Sequence, residues 1–284
     1  MRSIFKNSIR HNTSQLISGL MGKERRRYHV DWIVRQNKHI SKEKQLDRWY
    51  RLWRVIESAT DFKQPAFEEK RVAEIGCGPL LGWGPLAIFC GAKSFAYFEP
   101  SFQKEVLTSP IMEERYFFPV YQELVANFGP KMGYSNFIKN LRNCDVFDFL
   151  PNQTDLVISN SVLEHVRIDE IKPLLEKIAS SASDKAMYMH AVDFGCHGVE
   201  GAPNTFGKMY QLNERPDISK WGINGLRVSD LAEELQSNNW DTVDQVTYRK
   251  SELDPKMVNN YWTKYTHDEL SSRVVLFVGQ KNSS

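Results

Sequence analysis

Four stretches of this chain hold residue types able to do chemistry. Glu74-Ile75-Gly76-Cys77-Gly78 sets an acid beside two glycines. Glycine lets the backbone turn sharply and lets a ligand approach without meeting a Cβ. The helix expected after that turn offers unpaired N–H groups to the same ligand. Glu99-Pro100 closes the next apolar run, where a carboxylate can accept hydrogen bonds from both hydroxyls of a ribose. Asn160-Ser161 ends a third, β-branched run and is followed by Glu164-His165. A neutral imidazole there could remove a hydroxyl proton near pH 7, or could simply bond to backbone at a helix start. His190, Asp193 and His197 arrive together at the end of another apolar run. They read as an acid/base cluster, as a divalent-metal site of two imidazoles and a carboxylate, or as a hydrogen-bonded loop anchor.

The spacing discriminates between nucleoside ligands. A dinucleotide fingerprint is G-x-G-x-x-G, and here the third glycine, Gly82, comes one position late. Glu74-x-Gly76-x-Gly78 instead resembles the first motif of class I S-adenosylmethionine (SAM)-dependent methyltransferases. Thr154-Asp155-Leu156-Val157-Ile158-Ser159-Asn160-Ser161-Val162-Leu163-Glu164-His165-Val166 resembles the motif after the fourth strand of the same family. The resemblance covers roughly Arg71 to Gln280. It implies a Rossmann-like α/β fold, a seven-stranded, mostly parallel sheet with helices on both faces and an antiparallel last strand. It also implies SAM as cofactor. Glu74, Gly76, Cys77 and Gly78 would hold its methionine end, Glu99 with Pro100 the ribose, and Asp145 with Val146 the adenine. Asn160 and Ser161 would line the cofactor cleft. His165, His190, Asp193 and His197 would serve the acceptor, and no resident metal is called for.

The segment from His190-x-x-Asp193 to Leu226-Arg227-Val228-Ser229-Asp230 resembles methyltransferases found among sugar and polysaccharide biosynthesis proteins. It implies an O-methyltransferase of a sugar, glycan or other small hydroxylated acceptor. In the polar loop that runs through Asn204, Met209, Tyr210 and Trp221, the aromatics with Asn204 suit a sugar ring, with flat apolar faces for stacking and an amide for hydroxyls. The competing readings are an RNA or protein methyltransferase docking through a basic arm, and a non-catalytic SAM-binding scaffold. Asn160-Ser161-Val162-Leu163 stands where base N-methylation would call for an Asn-Pro-Pro-Tyr type of motif.

The elements that must position these residues follow from the pattern. Strands are expected at Arg71–Ile75, Ser94–Phe98, around Asn143–Phe147, at Asp155–Ser159, Ala186–Val192, Trp240–Tyr248 and Arg273–Gly279. A helix is expected from about Leu80 to Phe89, capped near Gly91. Another is expected to open at Leu163–Val166, and a third to start with Ser229 as N-cap. Gly129 to Asn140 reads as an irregular insertion. Residues 69–284 form the expected SAM-binding domain. Residues 1–68 form a basic helical extension or lid, in which Leu46, Trp49, Leu52, Trp53 and Ile56 recur at helical spacing.

The net charge of +2 is too small to argue for nucleic acid. Residues 1–60, however, carry fourteen Lys/Arg against five Asp/Glu, a net +9 that leaves −7 for the rest. The arm, with Arg25-Arg26-Arg27, reads as a solvated face or as a contact for an anionic surface. Cys77, Cys90, Cys144 and Cys196 form no C-x-x-C pair and read as reduced thiols of a cytoplasmic protein, peripheral at a membrane if the arm binds one. No apolar stretch has transmembrane length. The first residues lack a signal-peptide core, and their basic, acid-free character leaves organellar targeting as an alternative.

Overall fold

The computed structural model describes residues 30–35, 67–99, 102–146, 153–195, 207–216 and 218–282. The arm from Met1 to Tyr28, the Leu46–Ile56 stripe, Pro100, Phe147, Cys196, His197 and Asn204 lie outside the described residues, and the side chain of Val146 is likewise not described. Seven strands, β1 (Arg71–Ile75), β2 (Ser94–Phe98), β3 (Asp145–Val146), β4 (Thr154–Asn160), β5 (Ala182–Asp193), β6 (Trp240–Lys250) and β7 (Ser272–Lys281), run in the order β3-β2-β1-β4-β5-β7-β6. β1 pairs parallel with β2, and β2 with β3. The closing strand β7 is antiparallel to both β5 and β6. The α/β class, the strand count and the antiparallel closing strand expected from the sequence are thus present. Among the described residues, those up to Ile158 form one compact unit and those from Ser159 onward another.

In the first unit a short helix α1 (Val30–Arg35) buries Ile33. β1 is apolar except for Arg71 and Glu74, and Arg71, its first residue, is tied down hard. The Arg71 guanidinium donates to both carboxylate oxygens of Asp155 at 2.8 Å, and its backbone N–H adds a third bond at 2.9 Å. This two-pronged pairing fixes the start of β1 against the start of β4. After the glycine turn comes α2 (Gly84–Phe89), all six of whose residues are buried. The helix expected from Leu80 is split. Gly78–Leu80 is a 3-10 turn, and Leu81 and Gly82 take positive φ (64° and 46°), which no α-helix accommodates. α3 (Phe118–Phe128) and α4 (Tyr134–Arg142) pack on α2 through Phe89, whose ring lies 5.9 Å from Tyr121 and 6.3 Å from Phe137. The expected irregular insertion is therefore mostly the helix α4. Phe137, Ile138 and Leu141 bury one face of it, a stripe too short to stand out among its polar neighbours.

In the second unit, Leu163–His165 is an isolated 3-10 turn, and α5 (Ile168–Ser181) starts only after an extended Arg167. The expected continuous helix is interrupted because the Asn224 amide captures the carbonyls of Leu163 and Val166, both at 2.8 Å. α6 (Val228–Ser237) is capped by Arg227, whose N–H donates to Asp230 Oδ2 at 2.8 Å, not by Ser229. Ser229 instead donates from its N–H and hydroxyl to Glu269 at 2.7 and 2.6 Å, linking α6 to α7 (His267–Ser271). Strands β5 and β6 are longer than their apolar cores suggest, and no helix among the described residues is long and apolar enough to cross a membrane.

Candidate functional site

The first unit builds a cradle from the carboxyl ends of β1 and β2. β1 runs into Gly76, whose N–H donates to the Phe98 carbonyl at 2.8 Å and so extends the β1–β2 ladder by one bond. Gly76 and Gly78 take φ of 74° and 64°, a backbone L-residues with side chains avoid. A Cβ on Gly78 would meet nothing within 4 Å, so the turn has open space beside it. The Gly78 N–H donates to Glu99 Oε2 at 3.1 Å, so the acid ending β2 is held at the glycine turn. Asp145 is exposed at the start of β3, paired in register with Ala96.

Glu74 sits differently from the sequence expectation of an acid facing a ligand. It is 1% exposed and accepts the Trp83 N–H at 2.8 Å. It lies so close under Gly82 that a Cβ there would stand 2.2 Å from Oε1. Glu74 thus closes the Gly76–Trp83 loop from beneath, and Gly82 is glycine because the carboxylate occupies its side-chain space. Cys77 is buried, within the electrostatic reach of Glu74 and Glu99. Desolvation, with those two carboxylates, pushes its thiol well up, so it stays protonated. A protonated thiol is a poor nucleophile.

In the second unit, β4 ends at Asn160, and the hydroxyl of Ser161, the next residue, donates to Asn160 Oδ1 at 3.3 Å. Ser161 has φ 54°, a strained value for serine, held by its N–H to the Ala191 carbonyl at 2.8 Å. His165 is half-buried, and its Nδ1 bonds the Gly222 carbonyl. A carbonyl only accepts, so Nδ1 carries the proton, and in the neutral ring Nε2 is the basic nitrogen. Nε2 stands 4.0 Å from Oε1 of the buried Glu164. The same Oε1 accepts the Asp193 N–H at 3.3 Å, so Glu164 joins the His165 turn to the end of β5. Asp193 is committed to the chain there. It accepts the Gly195 N–H at 2.8 Å and pairs with Arg273 at 3.7 Å.

His190 is not part of this group. It is 1% exposed, bonded through Nδ1 to Ser159 Oγ at 2.8 Å and stacked on Tyr188 with ring centroids 5.1 Å apart. Burial lowers its pKa to about 3, which keeps it neutral in the interior. The structure therefore gives it a core role in place of the expected acid/base one. The expected sugar-stacking face is also corrected. Met209 and Tyr210 are fully buried in a core with Ile223, Trp262 and Leu270, and Trp221 packs against that core. Loop position alone suggested exposure, but the hydrophobic effect draws these large side chains inward. Among the described residues, no group of three His, Cys, Asp or Glu stands ready to hold a metal ion.

Two residues that the sequence reading left without a role organise this unit. Asn224, buried, clamps the His165 turn, and its own Oδ1 accepts the Leu226 N–H at 3.0 Å. Arg227 is buried with its guanidinium donating to the Phe194 and Leu226 carbonyls at 2.9 and 2.8 Å and to the Tyr210 hydroxyl. It lies over the Phe194 ring at 4.9 Å. The available signal was two polar residues inside the otherwise apolar run Ile223–Val228.

No family model matches the chain, and no curated protein matches its sequence. Solved structures do resemble it in shape. A SAM-dependent methyltransferase from Mesorhizobium loti matches 81% of this chain over 98% of its own, with 12% identity and a TM-score of 0.42. The 1,6-didemethyltoxoflavin-N1-methyltransferase from Burkholderia thailandensis, with 1,6-didemethyltoxoflavin and S-adenosylhomocysteine bound, matches 87% of this chain over 90% of its own, with 11% identity and a TM-score of 0.40. The [4+2]-cyclase SpnF matches 82% over 81%, with 11% identity and a TM-score of 0.42. At these identities and scores the likenesses carry no weight for chemistry, so the case for an activity rests on the chain's own residues.

Proposed function

We propose that this protein is a SAM-dependent methyltransferase that methylates a hydroxyl oxygen of a small acceptor, of the sugar or glycan class. The observation that carries the cofactor reading is the Gly76–Gly78 turn with Glu99 held at it, beside open space at Gly78. That arrangement fits a nucleoside. A carboxylate at the strand end suits ribose hydroxyls, and the glycine lets the ligand meet backbone. The acid-x-Gly-x-Gly spacing, the Asn160–His165 string and a seven-stranded sheet with an antiparallel closing strand agree on the methyltransferase family rather than on a dinucleotide enzyme.

Bound SAM supplies an electrophilic methyl group on a sulfonium. The chain's own work is then to hold the nucleoside, align the acceptor oxygen and take its proton. Alignment of two bound groups contributes up to roughly ten kcal/mol in model reactions. His165 is the base of choice. Its tautomer is set by the Gly222 carbonyl, which leaves Nε2 as the basic nitrogen of the neutral ring, and the buried Glu164 carboxylate stabilises the imidazolium that results. Asn224 acts as a positioning residue by fixing the turn that carries His165. Asp193 supports the same end through Glu164 and Arg273. The acceptor class rests on the sugar-biosynthesis resemblance of Leu226–Asp230 and on the need of a hydroxyl for a base.

The test is S-adenosylhomocysteine release on incubating the full chain with SAM and a panel of monosaccharides, nucleotide sugars and glycan intermediates. Turnover with a hydroxylated acceptor, falling about a hundredfold or more in His165→Gln with S-adenosylhomocysteine affinity retained, supports the reading. Turnover that is indifferent to His165, or that appears only with RNA or protein, overturns the acceptor assignment.

A further inference from the structure

Tyr97 has no part in the roles given so far. It lies on β2, two residues before Glu99, in register between Glu74 of β1 and Val146 of β3. Its side chain is 1% exposed, and its ring packs edge-on against Phe102 at 5.0 Å. Its hydroxyl has no hydrogen-bond partner among the described residues. Buried polar groups in folded proteins are nearly always paired, so an exception asks for a reason. The ring alone does not supply one, because the same strand uses Phe95 and Phe98 where only bulk is needed.

The surroundings of the hydroxyl indicate what it awaits. The groups acting on it electrostatically are Cys77 of the glycine turn and Cys144 and Asp145 at the start of β3. These are the segments expected to hold the methionine end and the adenine of the cofactor. Neither thiol donates to it, since Cys77 Sγ points its proton to the Gly78 carbonyl and Cys144 Sγ to the Asn140 carbonyl. Burial raises the phenol pKa, so it remains a donor at every physiological pH.

Resting on the methyltransferase reading, we propose that Tyr97 is a specificity residue of the cofactor site, its hydroxyl donating a hydrogen bond to a ring nitrogen of the bound purine. Adenine ring nitrogens are acceptors only, so they match a phenol that has a proton to give. The ligand therefore satisfies a donor that the protein leaves unpaired.

The experiment is calorimetric titration of S-adenosylhomocysteine into the full chain and into Tyr97→Phe, which keeps the ring. Affinity should fall about tenfold in the variant, the loss of one buried hydrogen bond, while the ligand-free melting temperature holds or rises. Among the 1-deaza, 3-deaza and 7-deaza analogues, one should bind the wild type about tenfold more weakly and lose nothing further on Tyr97→Phe. Equal affinity for both proteins overturns the proposal, as does a weakened variant whose ligand-free form melts several degrees lower, which marks a structural role. A full set of deaza analogues that all keep their sensitivity to Tyr97→Phe overturns the ring-nitrogen assignment. Failure of the wild type to bind the ligand at all is a different result, since it removes the methyltransferase reading itself.

Discussion

Replacing His190 by glutamine should flatten the acid limb of the protein's stability profile. In the native state burial holds the imidazole pKa at about 3, against 6.5 when unfolded. Between those values the unfolded chain binds a proton that the folded chain refuses. The stabilisation is therefore fully present above pH 6.5 and is lost as pH falls from there towards 3. From pH 8 to pH 5 the loss from this one group comes to about 2 kcal/mol, at about 1.36 kcal/mol per pH unit once the unfolded histidine is protonated. His190→Gln keeps a side chain able to bond Ser159 Oγ but cannot titrate. Carboxylates shared by the two proteins contribute equally to both curves and cancel in the difference. Urea unfolding at pH 8, 7, 6 and 5 measures that difference directly. The wild type should lose about 2 kcal/mol more than the variant over this range. Parallel curves would refute the reasoning. They would mean that His190 protonates in the folded protein near its ordinary pKa, reopening it as an acid/base group.

Two further perturbations separate support from binding. Gly82→Ala drives a Cβ to 2.2 Å from the Glu74 carboxylate at a φ of 46°, and should destabilise the fold by about 2 kcal/mol or more in denaturant unfolding. Gly78→Ala meets no atom within 4 Å, so it should cost only the left-handed backbone penalty of about 1 kcal/mol yet weaken S-adenosylhomocysteine binding at least about tenfold. Arg227→Met leaves the Phe194 and Leu226 carbonyls and the Tyr210 hydroxyl without their buried donor, and should cost about 3 kcal/mol by the same unfolding assay. Arg227→Lys should recover little of it, because one ammonium cannot span three acceptors set around a planar fork.

The glycine turn, the acid at the end of β2 and the α/β alternation were legible because their causes are local. A positive φ needs glycine within a residue or two, and a buried strand is a short apolar run. His190 was not legible in the same way. β5 is buried along most of its inner half, so alternation of faces leaves no trace in a run that is apolar on both sides. A histidine near the strand end reads alike whether it faces the core or the rim. The His165 turn was misread for a longer-range reason. The amide that ends it belongs to Asn224, some sixty residues later. Tyr210 looked like a loop aromatic because its partners, Leu270, Arg227 and Trp262, come from three separate later segments.

The central claim is that the cradle at Gly78 and Glu99 receives SAM, and calorimetric titration of the purified chain tests it most directly. Saturable binding of SAM and S-adenosylhomocysteine at micromolar concentrations, lost in Glu99→Ala and absent with NAD, is the expected result. Silence with both SAM ligands from a protein shown to be folded by its circular dichroism, or saturable binding of NAD in their place, would contradict it.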